Sequence, residues 1–142
     1  MVVGADTPVG ARVIDRLLEP EREVRAFVTD PETAARLRER GAKVALGDIS
    51  DDSHLAGACL NCFTVVLVEE AARDDRERAF APDVAAVLAS WARAVGSASV
   101  QRVIWLTSGD PPPVKTDQVA VVDPSDPDIA ERVYEIDAAR QI

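Results

Sequence analysis

Short apolar runs alternate with longer amphipathic stretches along almost the whole chain, and this alternation restricts the fold more than any other feature. It predicts successive βαβ units, and therefore a parallel sheet with helices on both faces. Residues 1–3, 24–28, 43–46, 63–68 and 102–107 read as strands, with 119–122 as a sixth. The run 63–68 is apolar apart from Thr64, as a strand buried on both faces should be. Thr7 caps a first helix with Pro8 at its first position, where the missing proline N–H costs nothing. Val9, Val13, Leu17 and Leu18 form its apolar stripe. Asp30-Pro31 opens a second helix by the same device, and Gly41 ends it. Ser50 or Asp51 caps a short helix reaching about residue 58. A polar loop over 69–78 leads to a long helix over 81–95, whose stripe is Val84, Val87, Leu88, Trp91 and Val95. Gly109 and Pro111-Pro112-Pro113 interrupt regular structure before a last helix over 129–140. The expected fold class is a doubly wound α/β parallel sheet of five to six strands.

A length of 142 residues predicts one domain over 1–142, large enough to fold without a disulfide or metal. With 47% hydrophobic and 29% charged residues the composition is that of a globular protein, which excludes general disorder. No apolar run approaches the roughly 20 residues of a membrane span, and no secretory signal pattern opens the chain. A cytoplasmic protein without membrane contact is expected. A net charge of −9 and no visible basic patch argue against nucleic acid as a partner. Cys59-Leu60-Asn61-Cys62 has redox-dithiol spacing, but it falls at a helix end, where the dipole does not stabilise a thiolate, so packing is the reading adopted. His54 has no partner pattern, and no ordered set of metal ligands is present.

The first strand-to-helix turn reads Gly4-Ala5-Asp6-Thr7-Pro8-Val9-Gly10. Its outer glycines are six positions apart, one more than in G-x-G-x-x-G. With Thr7 at the middle glycine, the turn resembles the G-x-x-G-x-x-G of the short-chain dehydrogenase/reductase superfamily. Residues 23–31, Gly47-Asp48-Ile49-Ser50-Asp51 and Val100 through Ser108 resemble the second strand, the G-D-[LI]-x-D and the fifth strand of its atypical, NmrA-like branch. The resemblance covers about residues 1–109 and implies a Rossmann-like fold that binds NAD or NADP. By that resemblance Gly4, Thr7, Val9 and Gly10 would lie under the pyrophosphate. Asp48 and Ile49 would face the adenine, Thr29 and Asp30 would meet the adenosine ribose, and Thr107 with Ser108 would follow the fifth strand. Asp30, 20 residues beyond Gly10, is placed to accept from ribose hydroxyls and to repel a 2′-phosphate, so NAD is preferred. Alternative roles stay open: Asp30 as a helix cap, Asp48 as a turn residue, and the glycine turn without a nucleotide.

Reductases of the resembled superfamily typically use Tyr-x-x-x-Lys to move a proton. Here the single tyrosine is Tyr134, position 138 is Ala138, and the two lysines are Lys43 and Lys115. No catalytic residue is therefore assigned. Glu69-Glu70, after the fourth strand, would oppose a pyrophosphate unless they point away, and a solvated loop is expected there. Three functions remain: a non-catalytic dinucleotide-binding sensor or interaction module, a small oxidoreductase or isomerase using other residues, and a regulatory nucleotide-binding domain like those gating potassium transport. The alanine-rich helix 81–95 suits a homodimer contact or the monomer core equally.

Overall fold

The computed structural model describes all 142 residues. The chain runs β1 (Val2–Val3), α1 (Pro8–Leu17), β2 (Arg25–Val28), α2 (Pro31–Glu39), β3 (Lys43–Leu46), α3 (Asp52–Ala58), β4 (Thr64–Val68), α4 (Glu70–Arg73), α5 (Val84–Ser97), β5 (Arg102–Leu106), β6 (Gln118–Val122) and α6 (Ile129–Ala138). All six strands pair in parallel in the order β3-β2-β1-β4-β5-β6. The order reverses between β1 and β4, and in open sheets of this kind ligands enter the crevice above that switch point, outside the carboxyl ends of the strands. The doubly wound α/β sheet read from the sequence is the observed architecture.

Alternation along each central strand divides its side chains between two apolar layers. Val2, Ala26, Val28, Val66, Val68, Ile104 and Leu106 face α1, α2 and α6, where Val13, Ile14, Leu37 and Ile129 meet them. Val3, Phe27, Val65, Leu67, Val103 and Trp105 face α3 and α5, against Leu55, Val87, Trp91 and Val95. β1 is only two residues long, but it hydrogen-bonds to β2 on one side and β4 on the other, which holds it at the centre. Trp91 stacks on Trp105 with ring centroids 6.5 Å apart. Its indole Nε1 donates to the Ile49 carbonyl at 2.8 Å, so the largest side chain of α5 is anchored to the segment after β3.

Both cap-then-proline signals are realised. Thr7 Oγ1 accepts from the Gly10 N–H and Asp30 Oδ2 from the Thr33 N–H, each with proline at the first helical position. Between β3 and β4, Asp51 rather than Ser50 caps α3. Other elements differ from the sequence reading. The polar loop expected over 69–78 contains α4, because Glu69 and Glu70 are held by side-chain and backbone partners. The long helix starts at Val84, where Asp83 accepts from Ala86 N–H at 2.8 Å, and it runs on to Ser97. Phe63 lies outside β4 and is 46% exposed.

Arg102, fully buried at the start of β5, explains how α6 is docked. Its guanidinium donates to the carbonyls of Ile136, Asp137 and Ala139 and to Gln118 Oε1, which places a cation on the carbonyl end of α6. No helix is long and apolar enough to cross a membrane.

Candidate functional site

The glycine turn is built for close approach. Gly4 has φ +87°, a conformation that disfavours side chains, and a Cβ there would lie 2.8 Å from the Ala71 Cβ. A Cβ on Gly10 would lie 2.0 Å from the Gly4 carbonyl oxygen, so α1 can pass this close to β1 only with glycine there. Thr7 is buried, and its hydroxyl donates to the Gly4 carbonyl at 2.7 Å while accepting from the Gly10 N–H at 2.9 Å. The residue that replaces the middle glycine therefore closes the turn on itself.

The first-turn donors of α1 can be counted completely. Pro8 has no N–H, Gly10 donates to Thr7 Oγ1, and Ala11 donates to the Thr7 carbonyl. The remaining N–H, of Val9, donates to Glu70 Oε2 at 3.3 Å. Glu70 thus places a carboxylate at the positive end of α1, where that end would otherwise attract an external anion.

At the end of β2, Thr29 and Asp30 both donate their N–H groups to Asp6 Oδ2, at 2.8 and 3.1 Å. The Asp30 carboxylate, in contrast, accepts from the Thr33 N–H and hydroxyl, and these two bonds hold its carboxyl below the usual carboxylate range. Asp6 Oδ1 accepts from Arg76 at 2.9 Å, and Arg76 also grips Asp74 and approaches Thr29 Oγ1 at 3.3 Å. The Arg76 side chain is 10% exposed; burial works against its charge, but Asp74 and Asp6 outweigh that and raise its pKa.

At the end of β3, Asp48 Oδ1 accepts from the Ser50 N–H and hydroxyl, and Oδ2 from the Ala79 N–H at 2.7 Å. Burial alone would push the Asp48 carboxyl up; these three donors hold it below its ordinary value. Ile49 is fully buried in the α3–α5 layer, and its carbonyl accepts from Trp91 Nε1. Between β4 and β5, Thr107 donates its hydroxyl to Glu69 Oε2 and accepts from the Gly109 N–H. Glu69 is 9% exposed and also pairs with Arg73 at 3.1 Å, so the expectation of a solvated loop is corrected at this residue.

Gly4, Thr7, Thr29, Asp30, Asp48, Ile49 and Thr107 lie at the carboxyl ends of β1, β2, β3 and β5 or in the segments that follow, and Val9 and Gly10 lie in the first turn of α1. The other candidates are elsewhere. Tyr134 is on α6, with the Arg16 and Arg22 guanidiniums 3.4 and 4.6 Å from its ring centroid. Cys59 is buried at the end of α3, and burial pushes its thiol up to about 12, the opposite of an activated nucleophile. His54 packs edge-on against Phe27.

A family model described as NAD(P)H-binding matches residues 4–135, and it starts at the first glycine of the turn. The chain belongs to this NAD(P)H-binding family. The NAD(P)-binding, Rossmann-like character expected from the motifs stands with it. No curated protein matches the sequence. Among solved structures, the chain is similar in fold to Citrobacter sp. triphenylmethane reductase complexed with NADP(H), at TM-score 0.61 and 21% identity over 74% of this chain and 35% of that one. An Escherichia coli NADPH-dependent quinone oxidoreductase complexed with NADPH gives TM-score 0.61 and 21% identity over 75% and 35%. ChuY, an anaerobilin reductase from Escherichia coli O157:H7, gives TM-score 0.58 and 24% identity over 75% and 49%. The chain therefore spans about a third to a half of the length of these structures.

A dinucleotide fits the NAD(P)H-binding domain in its backbone: the positive-φ Gly4, the Gly10 contact and the switch point between β1 and β4 form the cradle. The side chains are a less simple match, since Asp6, Glu69 and Glu70 all face this region. Asp6 and Arg76 were not assigned from the sequence. Asp6 lies inside the quoted turn, but its partner is 70 residues away, and no local pattern connects the two.

Proposed function

We propose that residues 1–142 form one dinucleotide-binding unit that acts as a non-catalytic sensor or interaction module. The observation that supports this reading is the position of Tyr134. Its ring packs under two arginines where α6 meets α1, so no tyrosine is available to exchange a proton with a substrate in the crevice. The bound group would be held by the Gly4–Gly10 turn, the end of β2 and Asp48; when bound, it would supply hydride chemistry. We infer a preference for NAD(H) over NADP(H), carried by Asp6 more than by Asp30, because Asp6 holds its carboxylate against the backbone at the end of β2.

A second reading, a small oxidoreductase, is favoured by the buried Glu69–Thr107 pair beside the crevice, a carboxyl group and a hydroxyl held in direct contact. The solved reductases named above support the same class. Calorimetric titration with NAD, NADH, NADP and NADPH, followed by turnover assays with quinones and triphenylmethane dyes, distinguishes the readings. Binding without turnover supports the sensor, turnover abolished by Glu69→Gln supports the oxidoreductase, and no binding by any nucleotide overturns both. A cytoplasmic location and a homodimer belong to the same proposal. The apolar stripe of α5 is spent on the core, so a dimer through that helix would use its outward Ala85, Arg93 and Ser97.

A further inference from the structure

We propose that this chain fills its own dinucleotide crevice, with two of its carboxylates standing where the cofactor's anionic groups would go, and that residues 74–80 form a strap a dinucleotide must displace. This inference rests on the reading that NAD(P)H binds at the glycine turn. The Glu70 carboxylate takes the Val9 N–H at the positive end of α1, where a pyrophosphate would bind. The Asp6 carboxylate takes the Thr29 and Asp30 N–H groups at the end of β2, where the adenosine ribose and any 2′-phosphate would lie.

The strap crosses the same edge of the sheet. Arg76 ties it to Asp6 and Thr29, the Ala79 N–H donates to Asp48, and the Phe80 N–H donates to Ser50 Oγ at 3.0 Å. The strap therefore engages the β1–α1 turn, the end of β2 and the segment after β3, which are the three places an adenosine needs. All these ties are polar. Phe80, the one large apolar side chain of the strap, is 67% exposed, so lifting the segment uncovers no core and needs only local opening. Arg76 neutralises Asp6 only while the strap is down. With the strap lifted, Asp6 and Glu70 each face an incoming anion, and each like-charge contact weakens binding.

The test is a titration of NADH and NADPH into the wild-type chain and into Glu70→Gln, Asp6→Asn and Arg76→Ala. Glu70→Gln is expected to tighten both nucleotides equally, by about three- to tenfold, because the pyrophosphate is common to them. Asp6→Asn is expected to tighten NADPH more than NADH, because it removes a charge near the 2′-phosphate. Arg76→Ala is expected to tighten both by releasing the strap. Amide hydrogen exchange gives a second readout: saturating NADPH should speed exchange at Ala79 and Phe80 relative to core amides. If wild-type chain binds and no variant binds tighter, or if Arg76→Ala binds more weakly, the self-occupied crevice is overturned and nucleotide binding stands. Slowed exchange at Ala79 and Phe80 overturns it also. If neither wild-type nor variants bind, the nucleotide-binding reading fails with it.

Discussion

Gly10→Ala separates helix propensity from close packing. Alanine in place of glycine within a helix normally stabilises by about 1 kcal/mol. At position 10 the added methyl would lie 2.0 Å from the Gly4 carbonyl oxygen and 2.8 Å from Thr7 Oγ1. Ordinary contact begins near 3.4 Å, and the closest atom belongs to the backbone, so α1 must move away from β1 by more than about 1 Å. That movement breaks the Thr7 cap, worth about 1 kcal/mol, and strains the packing of Val13 and Ile14 by a further 1–3 kcal/mol or so. Net destabilisation of about 1–3 kcal/mol is expected, read as a lower midpoint of urea unfolding with an unchanged slope. Gly57→Ala is the internal control: it is also helical, has nothing within 4 Å of its would-be Cβ, and should stabilise by about 0.5–1 kcal/mol. A Gly10→Ala protein as stable as wild type, or the same sign of change at both glycines, would refute the close-approach argument.

Other outcomes follow from the same contacts. Arg102→Met leaves the α6 carbonyls and Gln118 without their donor and should cost about 2–4 kcal/mol in denaturant unfolding; a loss under about 0.5 kcal/mol would contradict the assigned role. Asp30, Asp48 and Asp74 are all held below the ordinary carboxylate value, so their folded forms bind protons less readily than the unfolded chain. The stability they contribute is fully present above about pH 4 and is lost as pH falls through their lowered values, so Tm should be flat from about pH 5 to 7 and drop below about 4. Cys62 should react with a thiol reagent at pH 8 well before Cys59, whose thiol is buried and pushed up to about 12; equal rates would contradict the packing role.

The fold was legible because its signals are local. The apolar run of β4, the stripe of α5 and the Thr7-Pro8 and Asp30-Pro31 caps each occupy a few consecutive residues, and each forms the element it signals. The site was legible only in its backbone. The glycine spacing located the turn, but not that Thr7 would close it with its own hydroxyl. Glu69 read as solvated because adjacent carboxylates after an apolar strand usually are. Its partner Thr107 is 38 residues away, and the fold alone brings them together. Asp30 carried two signals, a cap and a ribose acceptor, and the three-residue reach to Thr33 engages its carboxylate first. Asp6, which takes the N–H groups of Thr29 and Asp30, is 23 residues before Thr29 and has no sequence mark of that role.

The central claim is that a dinucleotide binds at the carboxyl ends of β1, β2 and β3. Amide chemical-shift mapping of the isotope-labelled chain with NADPH and NADH tests it most directly. The account predicts saturable shifts at Gly4, Asp6, Val9, Thr29, Asp48 and Ala79, with the opposite end of the sheet around Asn61 and Cys62 unchanged. Shifts confined to that opposite end, or none at millimolar nucleotide, would contradict it.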